Sequence, residues 1–363
     1  MASTGFMTEA PPSRTAPLVE TRDSSAGKPA PLVSVAIAAY NCEDFLEEAV
    51  ASALDQGVPV EVIIVDDVSS DGTAQLARRL ARDEARIRAL SMESNGGPAA
   101  ARNAALDAAR GEWFAVLDAD DFYAPDRLRQ LVEMAEADQA DLIADDLIVF
   151  DNDNVTPPSR YLRRHKAGSR EWLTLTKYLN ATRMFSRRPN LGFLKPVFRL
   201  SSLREAGIRY DERLRIGEDD LLVLQMLMAG MRYRLAALPG YFYRKHSTSI
   251  SHRLSQANID QISLVTSEVE QALGSASPEE KRAFRARKHS VRTALGFVHF
   301  VDHVKAGQWR QAAGIILENP SVLRLVPLPL TDRLGRWASR RIKPRSTADA
   351  PHPKLNIATQ RTG

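Results

Sequence analysis

Between residues 32 and 117 the chain alternates short apolar runs with helical stretches, and this alternation restricts the fold more than any other feature. Leu32–Ala39 is an apolar run of strand length, and Glu43–Leu54 has helical spacing. Val60–Val65 reads as a second strand, followed by a helix over Asp71–Arg82 with Asp71 as its expected N-cap. Ile87–Leu90, an Ala-rich helix over Pro98–Ala108 and the strand Trp113–Leu117 complete the series. Strands alternating with helices of this length imply an α/β domain, its sheet mainly parallel and covered by helices. Ligands of such sheets bind beyond the carboxyl ends of the strands. The residues just after each strand are therefore the first candidates for a site.

Those positions are chemically loaded. Ala38-Ala39-Tyr40-Asn41 ends the first strand, Asp66-Asp67 followed by Val68-Ser69-Ser70-Asp71-Gly72 ends the second, and Asp118-Ala119-Asp120-Asp121 ends the fourth. Singly, each has a plain structural explanation as a turn, a helix cap or a surface aromatic. Together they gather acids and one aromatic on one rim. A nucleotide diphosphate needs such a rim. Its adjacent negative charges call for a hard cation, which takes oxygen ligands, and two aspartates spaced i, i+2 on a bend can converge on one metal or its waters. The metal then assists the leaving group as a Lewis acid. Tyr40 suits stacking on a base, and an aspartate can accept from a ring N–H. Between these segments, Asn95-Gly96-Gly97-Pro98 permits close backbone approach at a helix N-terminus, a natural anion site. Arg102 falls one turn further along, on the face of Pro98, within reach of a phosphate or the base.

The motifs Val33-Ser34-Val35-Ala36-Ile37-Ala38-Ala39-Tyr40-Asn41, Val65-Asp66-Asp67, Gly97-Pro98 with Ala101-Arg102-Asn103, and Leu117-Asp118-Ala119-Asp120-Asp121 resemble family 2 glycosyltransferases in order and spacing. The resemblance implies the GT-A fold, a nucleotide-sugar donor, Mg²⁺ or Mn²⁺, and transfer to a hydroxyl with inversion. It assigns Ala38, Tyr40, Asp66, Asp67, Gly97, Arg102 and Asp118 to the donor, and Asp118 and Asp120 to the metal, with Asp120 nearest. Val68 departs from the pattern: the family usually carries glycine there, so an altered turn is expected.

Further along, Gly217-Glu218-Asp219-Asp220 before an apolar helix resembles the family's Glu-Asp motif, which maps the catalytic base to Asp219. An inverting transfer needs one carboxylate to take the acceptor proton. A helix start presents a carboxylate firmly, although its dipole favours the charged form and weakens a base; a neighbouring acid acts the other way. Tyr243-Arg244-Lys245-His246 resembles the closing segment, which gives His246 to the metal–diphosphate site. The stretch Gly192-Phe193-Leu194-Lys195-Pro196 is most similar to glycosyltransferases of bacterial succinoglycan-type exopolysaccharide assembly. That likeness implies a UDP-hexose donor, such as UDP-glucose, and a lipid-linked oligosaccharide acceptor.

With 363 residues there is room for one such domain and an appendage. Residues 1–30 lack apolar periodicity and read as disordered, residues 31–252 as the catalytic domain, 253–345 as a helical basic extension and 346–363 as a flexible tail. A formal net charge of +4 does not point to nucleic acid. The single cysteine, Cys42, excludes an internal disulfide and reads as a helix-entry residue rather than a nucleophile. No secretory leader or spanning segment is visible, so a cytoplasmic protein is expected. Arg333, Arg336, Trp337, Arg340 and Arg341 fit peripheral contact with an anionic membrane. The run Arg160–Lys166 could instead hold an acceptor phosphate. Two other functions remain open at this point: a nucleotidyltransferase, which would usually show a Gly-rich basic loop after the first strand, and a non-catalytic glycan-binding module, against which the intact Asp118, Asp120 and Asp219 argue.

Overall fold

The computed structural model describes residues 30–151, 157–162, 171–186, 188–245, 255–274 and 276–327. The expectations for residues 1–29, for His246, for most of the Arg160–Lys166 run and for the basic segment beyond residue 327 fall outside these residues. The alternation read from the sequence is realised as β1 (Val33–Ala39), α1 (Leu46–Leu54), β2 (Val60–Asp66), α2 (Thr73–Asp83), β3 (Ile87–Ser91), α3 (Gly97–Ala108) and β4 (Trp113–Val116). Asp71 lies one residue before the cap, Gly72, yet its carboxylate still accepts from the Thr73 N–H at 3.0 Å.

The chain continues through β5 (Phe122–Tyr123), α4 (Arg127–Asp138), β6 (Leu142–Asp151), β7 (Ser159–Arg160), β8 (Glu171–Leu173) and α5 (Leu175–Ala181). A 3₁₀ turn at Leu191–Phe193 leads to β9 (Val197–Arg199), α6 (Leu200–Glu205), α7 (Glu218–Met228) and β10 (Tyr233–Lys245). Three helices close the described chain: α8 (Gln256–Ala272), α9 (Pro278–Lys305) and α10 (Trp309–Glu318). Among the described residues no helix is long and apolar enough to cross a membrane.

The strand order is β3-β2-β1-β4-β9-β6-β10-β5. β1, β2, β3 and β4 pair in parallel, as do β6 and β10. β9 is inserted against the direction of both its neighbours, β4 and β6. The two antiparallel steps cancel, so β1, β2, β3, β4, β6 and β10 all run one way. Every residue of β2 is buried, as expected for a strand covered on both faces. From β1 the chain winds outward to β2 and β3, and α3 then carries it back to β4 on the other side of β1. This reversal opens a crevice at the carboxyl ends of β1 and β4, where α/β sheets bind ligands. The helices α8 and α9 share the sheet's core through Val265, Val269, Leu273, Ala283 and Phe284.

In the turn after β2, Val68 adopts φ +63°, the left-handed region that its β-branched side chain disfavours. Its neighbours impose this. Asp66 accepts from the Ser69 N–H, Asp67 accepts from Gly96 and Gly97, and Asn41 Oδ1 accepts from the Ser70 N–H at 2.8 Å. A residue held in such a region costs of order 1–3 kcal/mol. The Val68 side chain is 44% exposed, so little packing is lost on its removal. Val68→Gly should therefore raise the unfolding free energy by about 1 kcal/mol, after the unfolded-state entropy of glycine is offset. Urea unfolding checks this; a variant less stable than the parent would show that the turn is not strained.

Candidate active site

Parallel topology brings the candidate residues to one rim. The carboxyl ends of β1, β2 and β4 carry Tyr40, Asp66-Asp67 and Asp118–Asp121, and α3 and α7 start at the same edge because helices feeding parallel strands run against them. Ala38 is partly buried in β1 opposite Val65, and Tyr40 beyond it is 47% exposed on the rim. Asp66 is buried, its carboxylate facing the Ser69 N–H. Asp67 is also buried but committed elsewhere. Its two oxygens accept from the Gly96 and Gly97 N–H groups, both at 2.7 Å, and so tie down the start of α3. Burial raises the Asp67 carboxyl above the usual range, against the stabilising pull of those two N–H groups. Gly97 adopts φ +80°, a region that side chains rarely occupy, and a Cβ would displace the Arg215 side chain, whose Nη1 would stand 2.3 Å away. Arg215 in turn donates to the Asn95 side chain at 2.9 Å, an exposed cation over this loop.

At the centre of the rim lies a buried network of five charges. Arg102, 4% exposed, donates to Asp118 Oδ1 at 2.7 Å, to Asp219 Oδ1 at 3.0 Å and to Glu218. Lys195 Nζ bridges Asp118 Oδ2 at 2.8 Å and Asp219 Oδ2 at 2.7 Å. Burial would pull both cations toward neutrality, but the carboxylates outweigh it and hold Arg102 and Lys195 charged. Glu218 is raised, chiefly by burial and against Arg102. Arg102, read from the sequence as within reach of a phosphate or the base, turns its guanidinium to three carboxylates. Lys195 was not singled out from the sequence as a site residue, although the stretch containing it was. Asp219 is the second residue of α7, which begins three residues earlier than its apolar run.

Neighbouring acids play supporting roles. Asp121 is buried and accepts from the Tyr241 hydroxyl at 2.8 Å and from the Arg244 N–H at 2.8 Å. Burial first, then the charges of Asp120 and Asp118, lift its carboxyl well above the usual range. The same Tyr241 oxygen accepts from the Asp118 N–H at 3.1 Å, so β10 fixes the backbone of the Asp118–Asp121 turn. Asp220 points away from the rim network to Arg287 of α9, at 2.6 Å. Cys42 is buried, and burial pushes its thiol up to about 12, which agrees with the helix-entry reading and removes it as a nucleophile. Arg160 donates to Asp146 at 2.7 Å.

These placements bear on the metal. Both Asp118 oxygens are occupied by cations, and among the described residues no three His, Cys, Asp or Glu side chains converge as a metal-binding group. Mg²⁺ characteristically keeps its waters and takes one or two carboxylates plus substrate phosphates, not an all-protein cage. The partly buried Asp120 beside the network fits that lighter role.

A pH effect follows from Asp118. Burial acts to raise its carboxyl, but Lys195 and Arg102 outweigh burial and bring it to about 2, below the ordinary 3.8. A carboxyl depressed in the folded state adds stability that is complete above the unfolded value and is lost as pH falls through the folded one. The stability gap between the parent and Asp118→Asn should therefore be constant above about pH 4 and shrink between about pH 4 and about 2. Denaturant titrations at stepped pH measure it; a gap that does not narrow there would mean the ion pairs do not form.

Comparison with known proteins bears on the family and the fold. The model of glycosyl transferase family 2 matches residues 34–204. The succinoglycan biosynthesis protein ExoO of Rhizobium meliloti (strain 1021) is 34% identical over 92% of this chain and 94% of its own length. ExoU of the same organism is 34% identical over 80% of this chain and 84% of its own. S. aureus TarS 1-349 in complex with UDP-GlcNAc superposes with a TM-score of 0.55 at 18% identity, covering 78% of this chain and 90% of that one. Mannosyltransferase PcManGT from Pyrobaculum calidifontis, in complex with GDP-Man and Mn²⁺, gives 0.52 at 18% identity over 83% and 87%. These two show the fold, which is the GT-A arrangement expected from the sequence. On a relationship that spans nearly the whole of both chains, and on a rim that carries the motif acids in order, this chain belongs to glycosyltransferase family 2.

Proposed function

We propose that the chain transfers a hexose from a UDP-hexose to a hydroxyl of a lipid-linked oligosaccharide in exopolysaccharide assembly, with inversion at the anomeric carbon. The observation that carries the reading is the convergence of Asp118, Asp219, Arg102 and Lys195 at the carboxyl-end crevice of the sheet. The pathway is supported by the likeness to the succinoglycan biosynthesis proteins ExoO and ExoU over most of the chain.

In this reading Tyr40 stacks on the base and Asp66 accepts from it, since Asp67 is spent on Gly96 and Gly97. Ala38 and Gly97 let the nucleotide approach the backbone, and Asp118 bounds the donor on the sugar side. A divalent cation held at Asp120, together with the diphosphate, would neutralise charge on the leaving group. His246 is the further candidate for that position. Arg102 and Lys195 add positive charge beside Asp118 and hold Asp219 rigidly. The Asp219 carboxylate accepts from Arg102, Lys195 and the Tyr210 hydroxyl, and a carboxylate with about four acceptor sites keeps one for the acceptor hydroxyl. Asp219 takes the proton as that hydroxyl oxygen attacks the anomeric carbon from the face opposite the diphosphate. Contact of the basic C-terminal segment with an anionic membrane, at the cytoplasmic face, would bring the enzyme to a lipid-linked acceptor.

Asp219→Asn keeps the shape and removes the basicity. It should lower kcat by roughly 10²–10⁴, the usual share of a positioned base, while UDP binding stays near that of the parent. Sugar-transfer assays beside UDP calorimetry decide; full activity would end the assignment, and lost UDP binding would mark Asp219 as structural. Asp120→Asn should remove the response of turnover to added Mn²⁺ without changing the melting temperature. Parent turnover that is indifferent to EDTA would exclude the metal role.

A further inference from the structure

Eight large hydrophobic side chains are exposed among the described residues, and one of them lies two residues before Lys195, which donates to the proposed base. Phe193, 45% exposed, ends the 3₁₀ turn Leu191–Phe193, two residues before Lys195. That turn is pinned from several directions. Asn190 Oδ1 accepts from the Gly192 N–H at 2.9 Å. The Tyr161 hydroxyl accepts from the Asn190 N–H at 2.7 Å and donates to the Asn190 carbonyl at 3.1 Å. Gly192 lies directly on Asp220: a Cβ there would stand 2.9 Å from three Asp220 side-chain atoms. Lys195 Nζ, two residues after Phe193, holds Asp219 at 2.7 Å. Residues 190–195 therefore bracket the start of α7, with Gly192 on Asp220 and Lys195 on Asp219. Between these two anchors the Phe193 ring meets solvent, its edge set against Tyr161 at a centroid distance of 6.4 Å and an angle of 71°.

We propose that Phe193, steadied by Tyr161, is the platform on which the acceptor sugar lies while Asp219 takes its hydroxyl proton. The proposal rests on the reading of Asp219 as the base. A half-exposed ring on a rigid turn is an unspent apolar surface that needs no reordering to bind. A pyranose has the complementary shape, with a face of C–H groups and a rim of hydroxyls. Stacking the C–H face on the ring buries both apolar surfaces and meets the negative face of the aromatic with weakly positive hydrogens. The hydroxyl rim then stays free to point at the carboxylate. Such a mostly apolar site with a few convergent polar groups is the usual form of a small-ligand site. The surface favours a hexopyranoside whose one face is free of axial hydroxyls, as in glucosides. Of the other exposed aromatics, Phe185 packs edge-on against Phe297 of α9, Trp309 lies on α10 and Tyr40 belongs to the proposed donor side.

The test uses the full chain with UDP-glucose as donor and methyl α- and β-hexopyranosides as acceptors, reading UDP release with and without each glycoside. Phe193→Ala should raise the acceptor KM about tenfold, the size of a lost aromatic contact and its burial. UDP-glucose KM and the acceptor-independent release of UDP should stay within twofold of the parent. Phe193→Tyr should keep the parent's acceptor KM. In a Phe193→Trp variant, titration with the glycosides, saturated with UDP, should shift the emission of the introduced ring, a readout that needs no turnover. An unchanged acceptor KM in Phe193→Ala, or an equal rise in donor and acceptor KM, overturns the platform while leaving the glycosyltransfer reading intact. A parent that neither binds UDP nor releases it from UDP-glucose overturns that reading and the platform with it.

Discussion

The structure of the rim depends on the two cations, Arg102 and Lys195, that neutralise three carboxylates in a buried space. Buried charges are tolerated only when paired and hydrogen-bonded, and removing one partner leaves the others uncompensated. The five groups come from four separate segments: α3, the turn after β4, the residues before β9 and the first turn of α7. None of the charges is satisfied until all four segments are in place. The network therefore behaves as an assembly condition. It also joins the donor side, at Asp118, to the proposed base, at Asp219, through shared cations, so that a change of charge on one side is felt on the other.

The start of α7 is held from its opposite side as well. Consecutive helical side chains point about 100° apart, so Asp219 and Asp220 face different neighbours. Asp219 meets Lys195 and Arg102. Asp220 meets Arg287 of α9, which also donates to Thr182 at the end of α5. Below them Leu221, Leu222, Val223 and Leu224 are buried in the core. Through Arg287, helix α9 thus reaches the residue next to the proposed base, and α8 and α9 share one core with the sheet. This explains how a carboxylate at a helix end, where chains commonly fray, can keep a fixed direction.

Much of the site was legible in the sequence because parallel topology has a simple consequence. Residues after parallel strands, and at the starts of the helices between them, must share an edge. Tyr40, Asp66, Asp67, Asp118, Asp120 and Asp219 were found on that basis or by the family resemblance, and the structure brings them to that edge. Lys195 escaped because β9 runs the other way. In a reversed strand the residues before it, not those after it, arrive at the carboxyl rim, as the pairing of Val197 with Ala115 requires. A three-residue strand inside a stretch that reads as irregular gives no periodicity to reveal its direction. Arg102 was read as within reach of a phosphate or the base; the partners it has here lie 16, 116 and 117 residues away, and no local pattern reports them. Likewise no local pattern shows that contacts from Asn41, Asp66 and Asp67 hold the backbone of Val68 in the left-handed region.

By itself, the sequence determined the class of sheet, the rim on which a ligand would sit and the residue types available there. These follow from local periodicity and from the fixed chirality and direction of strand–helix–strand units. Only the tertiary structure decided which acids are open to a ligand and which are spent on the protein. Asp67 is consumed by Gly96 and Gly97 and Asp121 by Tyr241 and Arg244, whereas Asp118 and Asp219 share Arg102 and Lys195 between them. The reason is physical: a carboxylate's availability depends on burial and on donors within about 3 Å, and those donors come from segments that the chain brings together only on folding.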